Sequence, residues 1–274
     1  MAKANKTPLP KYDAPPVIET ILGVEFAPLE GFGIPHFGVL WSRIKDSFPR
    51  FAVRPPLISQ IEEFGPGLAP PIPALQIRSE PEVRCWFIDA NDRTLIKVQG
   101  NRFTHNWRKT GSADAYPHYD ETVRPAFQRV WGLFLEFVNE NQLGAMNVLQ
   151  CEVTYINHLE VEPGGRSASE LQEAFHCWAG KASGTFLPGP ENVAFDVTYQ
   201  MPNCEGRLHV SLKPAIRNQD GQEILQLTLT ARGKPQGTDP DSVFVWLDKG
   251  REWVVRGFTD FTSTKMHSLW QRRT

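Results

Sequence analysis

No stretch of this 274-residue chain approaches the run of roughly 18 apolar residues that a bilayer-spanning helix needs. The opening residues, MAKANKTPLPKYD, lack the apolar core of a secretory signal. The sequence therefore reads as cytoplasmic, with no membrane partner. Cysteine is scarce. Cys85, Cys151, Cys177 and Cys204 stand far apart without a CxxC pair, which argues against a zinc site or a disulfide framework and for mostly buried free thiols. An excess of one charge is missing too: 29 Lys and Arg against 31 Asp and Glu leave a net charge of −2, which is not the basic balance of a general nucleic-acid binder. Signatures of nucleotide loops and hydrolases are absent as well. There is no G-x-x-x-x-G-K-[ST], G-x-G-x-x-G or G-x-S-x-G, and Gly31-Phe32-Gly33 lacks both a third glycine and a strand-to-helix junction. No catalytic residue, metal or cofactor is assigned on these grounds.

What the chain does have is an ordinary globular composition, 41% hydrophobic and 22% charged, and enough length to bury a sizeable core. Proline clusters near 8–16, 55–56 and 70–73 mark a tail and two loops. After Pro15-Pro16 the run VIETILGVEF predicts a strand over Val17–Phe26. Val39, Leu40, Ile44 and Phe48 fit a helical stripe over about 36–48, ended by Pro49. Short strands are expected near 57–61 and 75–78. Residues 83–109 read as a three-stranded meander, VRCWFID, TLIKVQ and RFTHNWR, with turns at Asn91-Asp92 and Gly100-Asn101. An apolar stripe of Val123, Phe127, Val130, Trp131, Phe134, Leu135 and Val138 predicts a helix over 120–139.

The second half repeats that order. A long strand over 148–161 is followed by a helix over 168–178, then by alternating strands around 193–199, 208–212 and 225–229. Asp239 as N-cap and Pro240 at the first helical position open a last helix running to about Phe258. The fold class expected is α+β, in two similar halves, each strand, helix, antiparallel meander and helix, packed as one body. The boundaries are an extended or disordered tail over 1–14, halves over 15–143 and 144–262, and a C-terminal tail over 263–274. The halves share an order of elements and no residue-level identity.

Within RFTHNWRK, alternation sets Phe103, His105 and Trp107 on one face and Arg102, Thr104, Asn106 and Arg108 on the other. The long central strand carries Tyr155 and Asn157 on one face and Glu152, Thr154 and His158 on the other. Polar groups this dense on a central strand are either paired with one another or wet. His105, Asn106, Trp107, Tyr155, Asn157 and His158 are the candidate ligand or partner residues. Metal ligation by His105, His158 and Glu152 would require the two strands to be neighbours. Arg102, Arg108 and Lys109, next to Tyr116, His118 and Tyr119, combine cations with aromatics as single-stranded nucleic-acid platforms do. The C-terminal tail places Lys265, Arg272 and Arg273 around Trp270, which is expected to dock back on the body.

Several strings together, KYDAPPVIETILGVEF, RFTHNWRK with YPHYDETVRPAF, QLGAMNVLQCEVTYINHL, and the tail formed by Phe258, Phe261, Thr262, His267 and Trp270, resemble a sporadically distributed bacterial family of uncharacterised proteins of about this length. The resemblance spans essentially the whole chain. It implies no catalytic residue. The scattered occurrence of the family implies genes carried on mobile elements, such as toxin–antitoxin or phage-defence cassettes. The resulting expectation is a non-enzymatic interaction or accessory protein, antitoxin-like or part of a phage-defence or mobile-element cassette, that binds a protein partner. Its alternatives are a small-ligand or nucleotide module with a cleft between the halves, and a single-stranded nucleic-acid binder using strand 102–109.

Overall fold

The computed structural model describes residues 8–65, 82–160, 192–237, 239 and 241–273, together with 171, 174, 175, 186 and 187. Its core is one nine-stranded sheet in which every described pairing is antiparallel. The strands are β1 (Val17–Phe26), β2 (Arg50–Arg54), β3 (Arg84–Ile88), β4 (Thr94–Gln99), β5 (Arg102–Arg108), β6 (Val148–Glu160), β7 (Phe195–Gln200), β8 (Arg207–Ile216) and β9 (Glu223–Gly233). The helices are α1 (Ile34–Ile44), α2 (Arg124–Glu140) with a π-helical turn at Tyr119–Val123 before it, α3 (Asp241–Phe261) and α4 (Thr264–Leu269). The α+β class expected from the sequence holds. Outward from the central β1–β6 pair the order is β5, β4, β3, β2 on one side and β9, β8, β7 on the other.

The helices cover one face because the apolar residues of alternate strand positions all point there. Leu22 and Val24 of β1, Phe103 of β5, Val153 of β6 and Leu227 and Leu229 of β9 are buried in a single core cluster. Phe134 of α2 meets the rings of Phe103 and Phe26 with centroids 4.9 and 5.8 Å apart, and Phe127 reaches Phe244 of α3 at 6.2 Å. Glycines bring α3 close to the sheet. A Cβ at Gly250 would stand 3.0 Å from Val153, and one at Gly257 only 2.5 Å from Leu208. Asp239 accepts the backbone N–H of Ser242, as the N-cap reading required.

Some elements differ from expectation. Strand β2 was not foreseen, and the strand expected at 57–61 is an extended segment that pairs with no strand. The expected strand at 75–78 lies outside the described residues, as does most of the expected helix at 168–178. The Gly100-Asn101 turn forms without a positive φ at either residue, whereas Asp92 in the preceding turn has φ 61°. The C-terminal tail docks as expected: Trp270 is buried against Phe258, with centroids 5.0 Å apart.

Candidate binding face

The register of the sheet aligns its other face into polar rows. One row runs Trp86, Lys97, Thr104, Gly23, Glu152, Arg232, Arg207 across seven strands. The rows beside it hold Gln99, Arg102, Glu25 and Gln150 on one side, and Asn106, Ile21, Thr154, Thr230 and His209 on the other. Much of this face is dry at its centre, so its groups satisfy one another. Arg102 pairs with buried Glu25, Arg232 with Glu152 at 2.7 Å, and Lys97 with Glu19 at 3.6 Å. Asn106 donates to Glu19, and the hydroxyls of Thr154 and Thr230 meet at 2.9 Å. Burial pushes Glu152 up, but Arg232, Arg102 and Thr154 outweigh it and hold the carboxyl below its usual range. Burial, helped by Arg84 and Arg108, lowers the Lys97 ammonium against the pull of Glu19.

A strap of residues 57–64 crosses this face. Gln99 accepts from the Leu57 N–H and donates to its carbonyl, at 2.9 and 3.0 Å. Gln150 treats the N–H of Glu62 and the carbonyl of Gln60 in the same way, at 2.8 and 2.9 Å. The Glu62 carboxylate ends the crossing between Arg207 and His209, at 2.6 Å from each. An extended backbone without a ladder must find its hydrogen bonds elsewhere, and here two glutamine amides supply them.

Positive charge concentrates at the β2 end. Arg50, Arg54, Arg84, Lys97, Arg102 and Arg108 share this face, against Asp92, Glu19 and Glu25. Three of these cations surround one indole: the Arg54 and Arg84 guanidinium carbons and the Lys97 nitrogen lie 5.2, 5.4 and 4.8 Å from the Trp86 ring centroid. Burial, together with Arg102 and Arg54, lowers the pKa of Arg84. Among the described residues neither Arg54 nor Arg84 has a carboxylate partner. The Nε of Arg84 and Nε1 of Trp86 are buried donors without an acceptor.

The residues singled out from the sequence separate onto two faces. His105, Trp107, Tyr155 and Asn157 point under the helices, while Asn106 and His158 lie on the polar face. Trp107 and Tyr155 both flank Thr20, and Tyr116 spans them: its ring meets Trp107 at 5.7 Å and its hydroxyl the Tyr155 hydroxyl at 2.7 Å. His105 sits one row further along, opposite Leu22. Asn157 donates to the Leu227 carbonyl, and half-buried His158 lies opposite Gln226. His105 is thus on the opposite face from Glu152 and His158, and no group of three metal-ligating side chains forms among the described residues. Of the basic trio, Arg102 is held by Glu25 and Arg108 by Asp92, while Lys109 follows β5 with its backbone N–H on Ile18.

No family model, curated protein or solved structure matches this chain. No described helix is long and apolar enough to cross a membrane. The Trp86 cluster escaped the sequence reading because its cations come from three strands. The alternation Arg84-x-Trp86 was visible, but only the β2–β3–β4 register brings Arg54 and Lys97 to the same ring.

Proposed function

We propose that this chain is a non-enzymatic interaction protein that takes an extended segment of a partner protein along the β2 edge. One observation carries the reading: on β2, the outermost strand described, Phe51 and Val53 are 57% and 52% exposed. An apolar edge strand offers an unpaired row of backbone groups, a template for β-augmentation. Trp41 of α1 backs it, its ring 5.3 Å from that of Phe51. A second copy of the chain is a poor occupant. Antiparallel pairing of RFAVR on itself about Ala52 would set Arg50 against Arg54, and like charges directly opposite are destabilising. The complementary occupant is a strand with apolar residues toward Phe51 and Val53 and acidic residues toward Arg50 and Arg54. The setting that the resemblance implies, a mobile cassette of the toxin–antitoxin or defence kind, directs the search to the products of adjacent genes. The mirrored order of elements about β1 and β6 supports a body of two equivalent halves.

The test is co-purification of the tagged protein with those products, comparing wild type with Val53→Lys and, at the opposite edge, Tyr199→Lys. The expected result is a stoichiometric partner lost at least tenfold in Val53→Lys and retained in Tyr199→Lys, since a charged residue blocks edge pairing. Equal retention in both variants, or no partner with the wild type, overturns the reading.

A further inference from the structure

We infer that the polar face carries a phosphate-binding site centred on Trp86, with Arg54, Arg84 and Lys97 as its donors. The site uses the face of β2 and β3 opposite to Phe51 and Val53, and it shares only Arg54 with the edge-pairing reading.

Three cations converge on a single indole, and the ring quadrupole attracts each of them modestly. Glu19 offsets Lys97, and Glu25 is taken by Arg102 and Ser59, so the repulsion between Arg54 and Arg84 is left without a carboxylate among the described residues and calls for an anion. Two buried N–H donors, Arg84 Nε and Trp86 Nε1, lack an acceptor at the same place. A buried donor without an acceptor is costly, so a ligand that supplies one gains the full difference. Arg54 is exposed and Arg84 and Trp86 are partly so, while the buried Nε of Arg84 and Nε1 of Trp86 are reached only when the side chains over them give way. Two guanidinium forks, an ammonium and an indole N–H outnumber what a planar carboxylate can accept. They suit the tetrahedral oxygens of a phosphate, to which guanidinium binds in bidentate fashion.

Two probes share this chemistry, sodium pyrophosphate and an oligothymidylate of about ten nucleotides. Calorimetric titration at low salt is expected to show binding of at least one. Arg54→Gln and Arg84→Gln should each weaken it about tenfold, the scale of a lost charge-assisted pair. Trp86→Phe keeps the ring and removes the N–H, and should weaken binding several-fold. Pyrophosphate that binds and displaces the oligonucleotide identifies a free phosphate compound as sufficient. Binding of the oligonucleotide alone, weakening steeply with salt, identifies the nucleic-acid backbone. Failure of both probes overturns the proposal, as does affinity unchanged in Arg54→Gln, a substitution at an exposed position that keeps the test decisive should Arg84→Gln not fold.

Discussion

His105 lies in the middle of β5 with its ring beneath the helices, where burial and the charge of Arg129 lower its pKa to about 4 from an ordinary value near 6.5. The folded protein thus holds this imidazole neutral, while the unfolded chain takes up a proton as pH falls through 6.5. Between pH 6.5 and 4 the unfolded state binds more protons, so stability falls with pH across that window by about 3 kcal/mol from this residue. His105→Leu removes the titration and also the unpartnered Nδ1. Its stability at pH 7 is expected within about 1 kcal/mol of wild type, because an apolar replacement of an unsatisfied polar group is nearly neutral. Its acid limb should be shallower by about 3 kcal/mol, read from urea melts at pH 7 and pH 4. An identical acid limb in the variant would refute the assignment. Alternation in RFTHNWR sufficed to set His105 and Trp107 on one face. It could not tell that the other face would also be dry at Asn106, because the partner that satisfies this amide, Glu19, lies 87 residues away in sequence.

The strap is the element whose sequence was most misleading. Leu57–Ile61 has the composition of a strand, and its backbone is extended, but no neighbouring strand completes a ladder. Gln99 and Gln150 replace that ladder with two separate clasps. The clasps should therefore open independently. In Gln150→Leu the amide of Glu62 is expected to exchange hydrogen at least tenfold faster, while the amide of Leu57 stays within about twofold of wild type. Exchange that rises equally at both sites would mean that the strap moves as one unit held by Glu62. The opposite error occurred at β2. RFAVR stands between Pro49 and Pro55-Pro56, and the prolines framed it as a loop, although neither enters the strand. By contrast β1, the β3–β5 meander and β6 were legible almost to the residue, because each combines β-branched or aromatic alternation with a sharp turn or proline boundary.

At the scale of the whole molecule, the central β1–β6 pair joins strands β2–β5 and β7–β9 into one sheet over one core. The chain ends reinforce this. Ala14 N–H bonds to the Trp270 carbonyl at 3.2 Å, Arg273 N–H to the Lys11 carbonyl at 2.9 Å, and the Tyr12 hydroxyl meets Thr259 at 2.9 Å. Trp270 is the wedge of this clasp, edge-on to Tyr12 and packed on Phe258 at the end of α3. Trp270→Ala leaves a cavity there, and a buried Trp-to-Ala change costs about 3–5 kcal/mol. In a chain of this size that lowers Tm by roughly 10 °C. Because the sheet lies over one core cluster, the loss is expected to be felt throughout. Near-ultraviolet dichroism, which reports tryptophans spread from Trp41 to Trp253, should then shift by the same amount as the far-ultraviolet signal of the whole sheet. Two separated transitions in Trp270→Ala, with part of the near-ultraviolet signal retained up to the wild-type melting temperature, would show instead that the part carrying β2 and the Trp86 cluster stands by itself.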